Sequence, residues 1–297
     1  MKEIQGTGVA LITPFHYYGT IDFTSLSNII EHILSNNVDF IVALGTTSEA
    51  ATLSRDEKNA LMEFILETVD DRVPVVMGTG GNNTQEIIDS IKPNNFDGIS
   101  ALLSVVPYYN KPQQKGLYYH FKNIATASPV PVILYNVPGR TSANLTSDTT
   151  LRLAHEFGNI IGIKEASGNF TQIMEILRDK PRDFFVFSGD DALTLPMILL
   201  GAEGVISVTA NAYPGEFSQM VKNALKGSKK KARIIHYSLL EIMNTLFEDG
   251  NPSGIKAVLN ILGRCNNHLR LPLVKVNKGT FNRLQTLTEL YKNPLVS

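Results

Sequence analysis

The stretch Ile160-Ile161-Gly162-Ile163-Lys164-Glu165-Ala166 is a short run rich in β-branched residues, which is typical of a buried β-strand. Seven other short apolar runs recur along the chain, at roughly the 20- to 35-residue spacing of strand–helix units. They cover residues 8–12, 40–44, 74–78, 99–106, 131–135, 184–187 and 204–208. Amphipathic stretches separate the runs, and one of them opens with a capping-box pattern at Ser54 and Glu57. Eight such units predict an α/β fold, the (β/α)8 TIM barrel.

The chain continues beyond the eighth unit without another strand pattern. Apolar residues between Ile234 and Leu246 recur with a helical period, and Asn251 with Pro252 is a typical helix start. No Gly/Ser-rich or Pro-rich linker precedes this tail. We therefore predict a barrel of residues 1–226 that carries the site, and a C-terminal helical extension of residues 227–297 packed on it.

Charge and cysteine content exclude several classes of partner. The 297 residues include 27 basic and 28 acidic side chains, so the chain has no excess of positive charge that would attract nucleic acid or an anionic membrane. The single cysteine, Cys265, rules out an intramolecular disulfide and fits a reducing compartment. The N-terminus is polar, and the apolar run at residues 9–12 is too short for a signal peptide or a membrane span. We expect a soluble cytoplasmic protein.

Lys164 is the most unusual residue of the predicted strands. An ammonium group in an apolar strand loses its hydration, and burial favours the neutral amine. A neutral amine on a rigid strand is the nucleophile that forms Schiff bases with carbonyl substrates. The alternative is structural: Lys164 could end the strand, paired with Glu165 or reaching water.

Polar residues follow several of the predicted strands. The carboxyl ends of barrel strands meet at one face, where reactive groups of this fold belong. Each segment alone could be an ordinary turn, but together they favour a site. The segments are residues 45–49, 107–110, 135–141, 164–167 and 188–191.

Schiff-base chemistry needs an amine, a proton shuttle and a group that binds the carboxylate of a keto acid. Lys164 can supply the amine and Tyr135 the shuttle, while the hydroxyls and backbone amides of Thr46 and Thr47 can hold the carboxylate. Arg140 can bind a second carboxylate through its planar guanidinium, although a surface ion pair would explain it equally.

Metal-dependent chemistry is not indicated. The histidines at positions 16, 32, 120, 155, 236 and 268 have no metal-site spacing and do not follow the strands. Residues 78–81 are glycine-rich but lack the dinucleotide fingerprint, and no Walker A loop is present. We predict that the protein uses neither a metal nor a cofactor.

Longer motifs relate the chain to a known family. Residues 8–15, the Gly-Thr-Thr-x-Glu segment at 45–49 and residues 251–263 resemble the pyruvate-dependent class I aldolases, the superfamily of N-acetylneuraminate lyase. Pro107-Tyr108-Tyr109-Asn110-Lys111-Pro112, taken with residues 135–141, resembles the dihydrodipicolinate synthase branch in particular. The resemblance covers nearly the whole chain.

The resemblance implies a role for each matching residue. Lys164 would form an imine with pyruvate, Tyr135 would donate and accept protons, and Thr46 would link Tyr135 to Tyr109 in a relay. Arg140 would bind the carboxylate of the second substrate, L-aspartate 4-semialdehyde. The remaining substrate contacts would be made by Thr47, Gly189 and Ile206.

The resemblance also implies a reaction and an assembly. Pyruvate and the semialdehyde would condense to 4-hydroxy-tetrahydrodipicolinate in diaminopimelate and lysine biosynthesis, with no cofactor beyond the covalent imine. Tyr109 would reach the site of a neighbouring subunit, so dimers would pair into a homotetramer. Two alternatives remain open at this point: a sugar-acid lyase of the same superfamily, and a barrel that only binds a ligand.

A second cleft is implied by the pattern of lysine-inhibited relatives. Arg55 and Lys58 occupy positions where those relatives often carry histidine, and two added cations would oppose binding of cationic L-lysine. We therefore expect weak or absent inhibition by lysine. Ser48 replaces a glycine of the family motif, and we expect little effect on catalysis. The cleft would be formed by Ala50, Ala51, Arg55, Lys58, Gly80, Asn82, Glu86 and Tyr108.

Overall fold

Eight parallel strands form a closed barrel in chain order, and β8 pairs with β1. A computed structural model describes residues 4–91 and 96–292 of the chain. Residues 1–3, part of the polar N-terminus, and residues 293–297, part of the predicted extension, lie outside the described residues. The strands are β1 Gly6–Ala10, β2 Phe40–Ala43, β3 Val75–Thr79, β4 Ile99–Val105, β5 Val132–Asn136, β6 Ile160–Glu165, β7 Phe185–Ser188 and β8 Gly204–Ser207.

Each of the eight apolar runs overlaps one strand, with strand ends displaced by no more than two residues. The predicted (β/α)8 fold is therefore confirmed. Parallel strands of a barrel are covered by helices on the outside and by side chains within, so they are apolar on both faces and read as short continuous runs.

Helices alternate with the strands and continue after the eighth one. Helix α2 begins with the predicted capping box: the Ser54 side chain accepts from the Glu57 amide, and the Glu57 carboxylate accepts from the Ser54 amide. No helix in the described ranges is long and apolar enough to cross a membrane. The helices are α1 Phe23–Leu34, α2 Arg55–Val69, α3 Thr84–Ile91, α4 Gln114–Ala127, α5 Pro138–Thr141, α6 Ser147–Glu156, α7 Phe170–Asp179, α8 Thr194–Leu200, α9 Pro214–Leu225, α10 Lys229–Thr245, α11 Ser253–Ile261 and α12 Lys278–Lys292.

Two aromatic rings fill the interior of the barrel below the carboxyl ends of the strands. Phe40 of β2 and Phe187 of β7 contact each other with ring centroids 5.7 Å apart. Gly8 of β1 makes room for them, because a Cβ atom at this position would lie 2.2 Å from the Phe40 ring. Side chains thus fill this part of the barrel, and sites of this fold lie at the carboxyl ends of the strands.

The helices that follow the barrel contact it at several points. Tyr213, which precedes α9, donates a hydrogen bond to Thr288 of α12 at 3.1 Å. Asn251 was predicted to be the N-cap of α11, but the helix begins one residue later, at Ser253, with Pro252 as its cap. The Asn251 side chain instead donates to Thr47, which follows β2. This tertiary hydrogen bond explains why the predicted cap is wrong.

Candidate active site

Lys164 and Tyr135 lie next to each other inside the barrel. They are paired across neighbouring strands β6 and β5, and the Lys164 amine lies 4.4 Å from the centroid of the Tyr135 ring. Lys164 is also paired with Phe187, whose ring is in the barrel interior, so its side chain is directed inward. Only 6% of Lys164 is exposed.

Glu165 is not the partner of Lys164. Successive strand residues face opposite sides, and the Glu165 carboxylate is directed away from the interior to accept hydrogen bonds from Asn136, Gln172 and the Ser167 amide. Across residues 4–91 and 96–292, no carboxylate forms an ion pair with Lys164. The pairing with Glu165 that the structural alternative assumed is therefore not formed.

Gly189 follows β7 and packs against the stem of Lys164. A Cβ atom on Gly189 would lie 3.2 Å from Cε of Lys164 and 2.7 Å from Cβ of Ala166. The Gly189 amide donates to the Glu165 carbonyl at 2.8 Å, which holds the glycine in this position. The absence of a side chain at Gly189 gives the lysine its space.

Ile206 of β8 is buried and paired with Gly8, which places its side chain in the barrel interior. The segment after β8 is held by Asp191, whose carboxylate accepts from the amide and hydroxyl of Thr209 at 2.7 and 2.6 Å. Burial raises the pKa of Asp191, and the hydrogen bonds from Thr209 oppose that rise. The sequence analysis included Asp191 only in the polar segment after the seventh strand. It could not predict the contact with Thr209, because Thr209 lies on the loop after another strand.

The segment after β2 has a constrained backbone. Leu44 and Glu49 bracket residues 45–48 and have φ values of 54° and 56°, in the left-handed region. Such residues cost about 1–3 kcal/mol each and persist only where their surroundings hold them. Between them Thr47 is buried, whereas Thr46 is exposed.

The C-terminal extension holds this segment in place. Asn251 donates to the Thr47 hydroxyl at 2.9 Å, and the Lys256 amine donates to the Glu49 carboxylate at 2.5 Å. The backbone amide of Arg270 also donates to Glu49, at 3.0 Å. Burial lowers the pKa of Lys256, and the charge of Glu49 opposes that effect.

These contacts were missed by the sequence reasoning. The sequence does contain a signal that Lys256 is buried. It lies within the apolar residues 255–259, just as Lys164 lies within an apolar strand. No comparable signal marks Asn251.

Tyr109 and Arg140 lie on the surface of a single chain. Tyr109 is 86% exposed, and its φ of 75° is unusual for a bulky residue. Arg140, in the short helix α5, is also exposed. Within the part of the chain that the structure describes, the hydroxyls of Thr46, Tyr109 and Tyr135 form no hydrogen bonds with one another. The predicted relay through Thr46 stays a prediction about the assembled protein.

The residues predicted for a second cleft lie on three loops and helix starts. Arg55 and Lys58 are in the first turn of α2, and neither forms an ion pair in the described ranges. Glu86, in the first turn of α3, accepts a hydrogen bond from Asn83 at 3.0 Å. Among the described residues no hydrogen bond or ion pair joins these groups, so the cleft stays a prediction. Ala51, Gly80, Asn82 and Tyr108 are exposed, and Ala50 is half-buried.

The described side chains offer no metal site. Within residues 4–91 and 96–292, no group of three or more His, Cys, Asp or Glu side chains is arranged to hold a metal ion.

The geometry can be compared with that of known proteins. The sequence profile described as the dihydrodipicolinate synthetase family matches residues 3–290. This chain belongs to that family. A member from Flavobacterium psychrophilum, named 4-hydroxy-tetrahydrodipicolinate synthase, is 50% identical over 289 residues, which are 97% of this chain and 99% of the relative.

Solved structures of the dihydrodipicolinate synthetase family have the same fold. The crystal structure of dihydrodipicolinate synthase from Aquifex aeolicus has a TM-score of 0.94 and 41% identity, and the match covers 99% of this chain and 100% of that one. A structure described as the first monomeric dihydrodipicolinate synthase variant also has a TM-score of 0.94, with 36% identity and 97% of each chain covered.

Proposed function

We propose that the protein condenses pyruvate with L-aspartate 4-semialdehyde through an imine at Lys164, giving (4S)-4-hydroxy-2,3,4,5-tetrahydrodipicolinate in diaminopimelate and lysine biosynthesis. The observation that carries this proposal is the Lys164 amine, buried in the barrel beside Tyr135 without a carboxylate partner in the described residues. The relatives named 4-hydroxy-tetrahydrodipicolinate synthase support this reaction over the sugar-acid lyase and the ligand-binding barrel that the sequence left open.

The first half of the reaction joins pyruvate to the protein. The Lys164 amine attacks the keto carbon of pyruvate and forms a carbinolamine. Tyr135, paired with Lys164 across the strands, supplies the proton with which the carbinolamine loses water. Loss of a methyl proton from the resulting imine gives an enamine. No cofactor is needed, because the protonated imine withdraws electrons from the methyl carbon.

The second half forms the carbon–carbon bond and releases the product. The enamine carbon attacks the aldehyde carbon of the semialdehyde, whose oxygen takes up a proton. The amino group of the semialdehyde then attacks the imine carbon, closes the ring and displaces the Lys164 amine. Two substrates thus give one cyclic product and one water, and the lysine is regenerated.

Two carboxylates must be held during these steps. The buried Thr47 hydroxyl at the rim is suited to the carboxylate of pyruvate. Arg140 is exposed at the start of the segment that follows β5, and it is suited to the carboxylate of the incoming semialdehyde. Pyruvate is therefore enclosed, while the second substrate enters from outside.

The assembly is part of the proposal. A left-handed backbone at a bulky residue costs conformational free energy, and nothing among the described residues of one chain offsets that cost at Tyr109. Entry of Tyr109 into the site of a second subunit would explain this conformation. We infer a dimer of this kind, paired into a homotetramer. The monomeric variant with a TM-score of 0.94 has the same subunit fold, so the fold alone does not decide the assembly. The single cysteine favours a reducing compartment, and we place the reaction in the cytoplasm.

A substrate comparison tests the proposed reaction. Purified protein should consume pyruvate with aspartate semialdehyde, and it should not cleave neuraminate or keto-deoxy sugar acids. Lys164→Arg keeps a positive charge but removes the nucleophilic amine, so this control should be inactive. Efficient cleavage of a sugar acid, or turnover by Lys164→Arg, would refute the proposal.

A further inference from the structure

We propose that Asn251 is a positioning residue: it fixes the Thr47 hydroxyl so that its hydrogen is directed at the carboxylate of the bound keto acid. This inference rests on the proposed function, and it assigns a part in substrate recognition to the C-terminal extension. Asn251 lies 204 residues from Thr47 in sequence and outside the eight strand–helix units.

The hydrogen-bond inventory supports this assignment. The Asn251 side-chain nitrogen donates to the Thr47 hydroxyl oxygen at 2.9 Å. A hydroxyl has one hydrogen and two lone pairs, so accepting from an amide leaves its own hydrogen available. In the described ranges that hydrogen has no acceptor, and Thr47 is only 3% exposed. A buried donor without a partner at the rim is suited to a carboxylate ligand.

The other atom of the amide is also informative. Asn251 is 7% exposed, and its side-chain oxygen has no hydrogen-bond partner among the described residues. Buried polar atoms without partners are uncommon because each costs free energy. An apolar side chain would avoid that cost. The hydrogen bond that the Asn251 nitrogen donates to Thr47 therefore explains why an amide is present at this position.

A second contact joins the same two segments of the chain. Two residues from one stretch of chain, Asn251 and Lys256, contact two residues of one short segment, Thr47 and Glu49. The Lys256 amine also donates to the His268 carbonyl at 2.9 Å, which fixes its position. A site supported by such a set of contacts keeps its geometry when the ligand binds.

Asn251→Asp tests the direction of the hydrogen bond, because it keeps the shape of the side chain. The carboxylate can only accept, so it takes the Thr47 hydrogen and adds a negative charge near the keto acid. The hydrogen bond from the Thr47 hydroxyl to the carboxylate of the keto acid is then lost. Loss of a hydrogen bond to a charged group should raise the pyruvate KM about tenfold to a hundredfold. The KM for the semialdehyde and kcat at saturating pyruvate should change much less.

A double-mutant cycle shows whether Asn251 acts through Thr47. Thr47→Val removes the hydroxyl, so Asn251→Asp should add little to the pyruvate KM in that background beyond the effect of its charge. Asn251→Ala removes the donor without adding charge, and it should have nearly no effect on the pyruvate KM of Thr47→Val.

Asn260→Ala is the matched control, since Asn260 donates to the Cys265 carbonyl at 3.1 Å within the same C-terminal extension. It should lower the melting temperature and leave the pyruvate KM unchanged.

The readout separates this inference from the function on which it rests. Borohydride trapping measured over a range of pyruvate concentrations gives the half-saturation of imine formation without turnover. No adduct with the unaltered protein refutes the proposed function. An adduct with normal half-saturation in folded Asn251→Asp and Asn251→Ala refutes only the role of Asn251. The role of Asn251 is also refuted if the effects of Asn251→Ala and Thr47→Val on the pyruvate KM multiply in the double variant. It is refuted as well if kcat falls as much as kcat/KM and both follow the melting temperature.

Discussion

Three neighbours shape the environment of Lys164, the residue that we propose as the nucleophile. Tyr135 covers its amine, Gly189 leaves space beside its stem, and Glu165 is bonded elsewhere. The sequence identified the lysine through its apolar surroundings. It could not show that Tyr135 pairs with it, because the register between β5 and β6 is a property of the closed barrel.

Gly189→Ala should impair imine formation. The added methyl group would meet Cε of Lys164 at 3.2 Å and Cβ of Ala166 at 2.7 Å, so the lysine stem or the loop must move. Misplacement of a reacting group by about 1 Å can cost on the order of 100-fold in rate. The rate of imine formation with pyruvate measures the effect. Gly158→Ala is the control, because a Cβ atom there meets nothing within 4 Å. Equal rates for the two variants would contradict this account of Gly189.

At the scale of elements, the strands could be predicted and the long-range contacts could not. The strands have a local signal, since parallel strands buried on both faces are short β-branched runs. The capping box at Ser54 is local as well. By contrast, the hydrogen bond from Asn251 to Thr47 and the ion pair of Lys256 with Glu49 join residues 204 and 207 positions apart. Residue spacing carries no information about such pairs.

The contact of Arg270 with helix α2 should make stability depend on pH. The Arg270 guanidinium donates to the Glu57 carboxylate and lowers the pKa of Glu57 to about 2. A carboxyl with a lowered pKa stabilises the fold fully above its unfolded pKa of about 4.5, and this contribution is lost as the pH falls toward 2. With an allowance for partial exposure, we expect Glu57→Gln to cost about 1–2 kcal/mol at pH 7.

Denaturant unfolding of Glu57→Gln and the unaltered protein checks this expectation. The difference in unfolding free energy should shrink steadily below pH 4.5. Glu63→Gln, an exposed position on α2 without an ion pair in the described ranges, should cost little at any pH. A difference for Glu57→Gln that grows on acidification would contradict the assigned role of Arg270.

At the scale of the whole molecule, the proposed site needs a residue from a second chain. Lys164 and Tyr135 are enclosed in the barrel, whereas Tyr109 is exposed and forms no hydrogen bond with Tyr135 among the described residues. The proposed dimer supplies Tyr109 from a second subunit. Sequence reasoning can mark an exposed tyrosine as unusual, but it cannot supply the second surface.

Tyr109→Phe should separate the two halves of the reaction. The ring remains, so the interface should persist, while the hydroxyl needed for proton transfer is lost. Loss of one general acid–base group costs about 100- to 10,000-fold in turnover. Trapping of pyruvate on Lys164 should remain, because the amine and its pocket belong to one subunit. Full turnover by Tyr109→Phe, at an unchanged oligomeric mass, would show that the relay is not used.

Regulation by L-lysine should be weak or absent. Arg55 and Lys58 add two positive charges to the predicted cleft, in the first turn of α2. Each unfavourable contact of about 1.4 kcal/mol weakens the affinity roughly tenfold. Steady-state rates at millimolar lysine should therefore stay near the uninhibited value. Arg55→His with Lys58→His is the informative variant, and a gain of inhibition would support the charge argument. Near-complete inhibition of the unaltered protein by sub-millimolar lysine would contradict it.

The central claim is that the Lys164 amine forms a covalent imine with pyruvate, and chemical trapping tests it most directly. Protein mixed with pyruvate is reduced with borohydride, digested and analysed by peptide mass spectrometry, with Lys164→Arg treated in parallel. The account predicts a carboxyethyl group on Lys164 in the unaltered protein and no adduct in the variant. An unmodified Lys164, or an adduct at Lys256 or another lysine in its place, would contradict it.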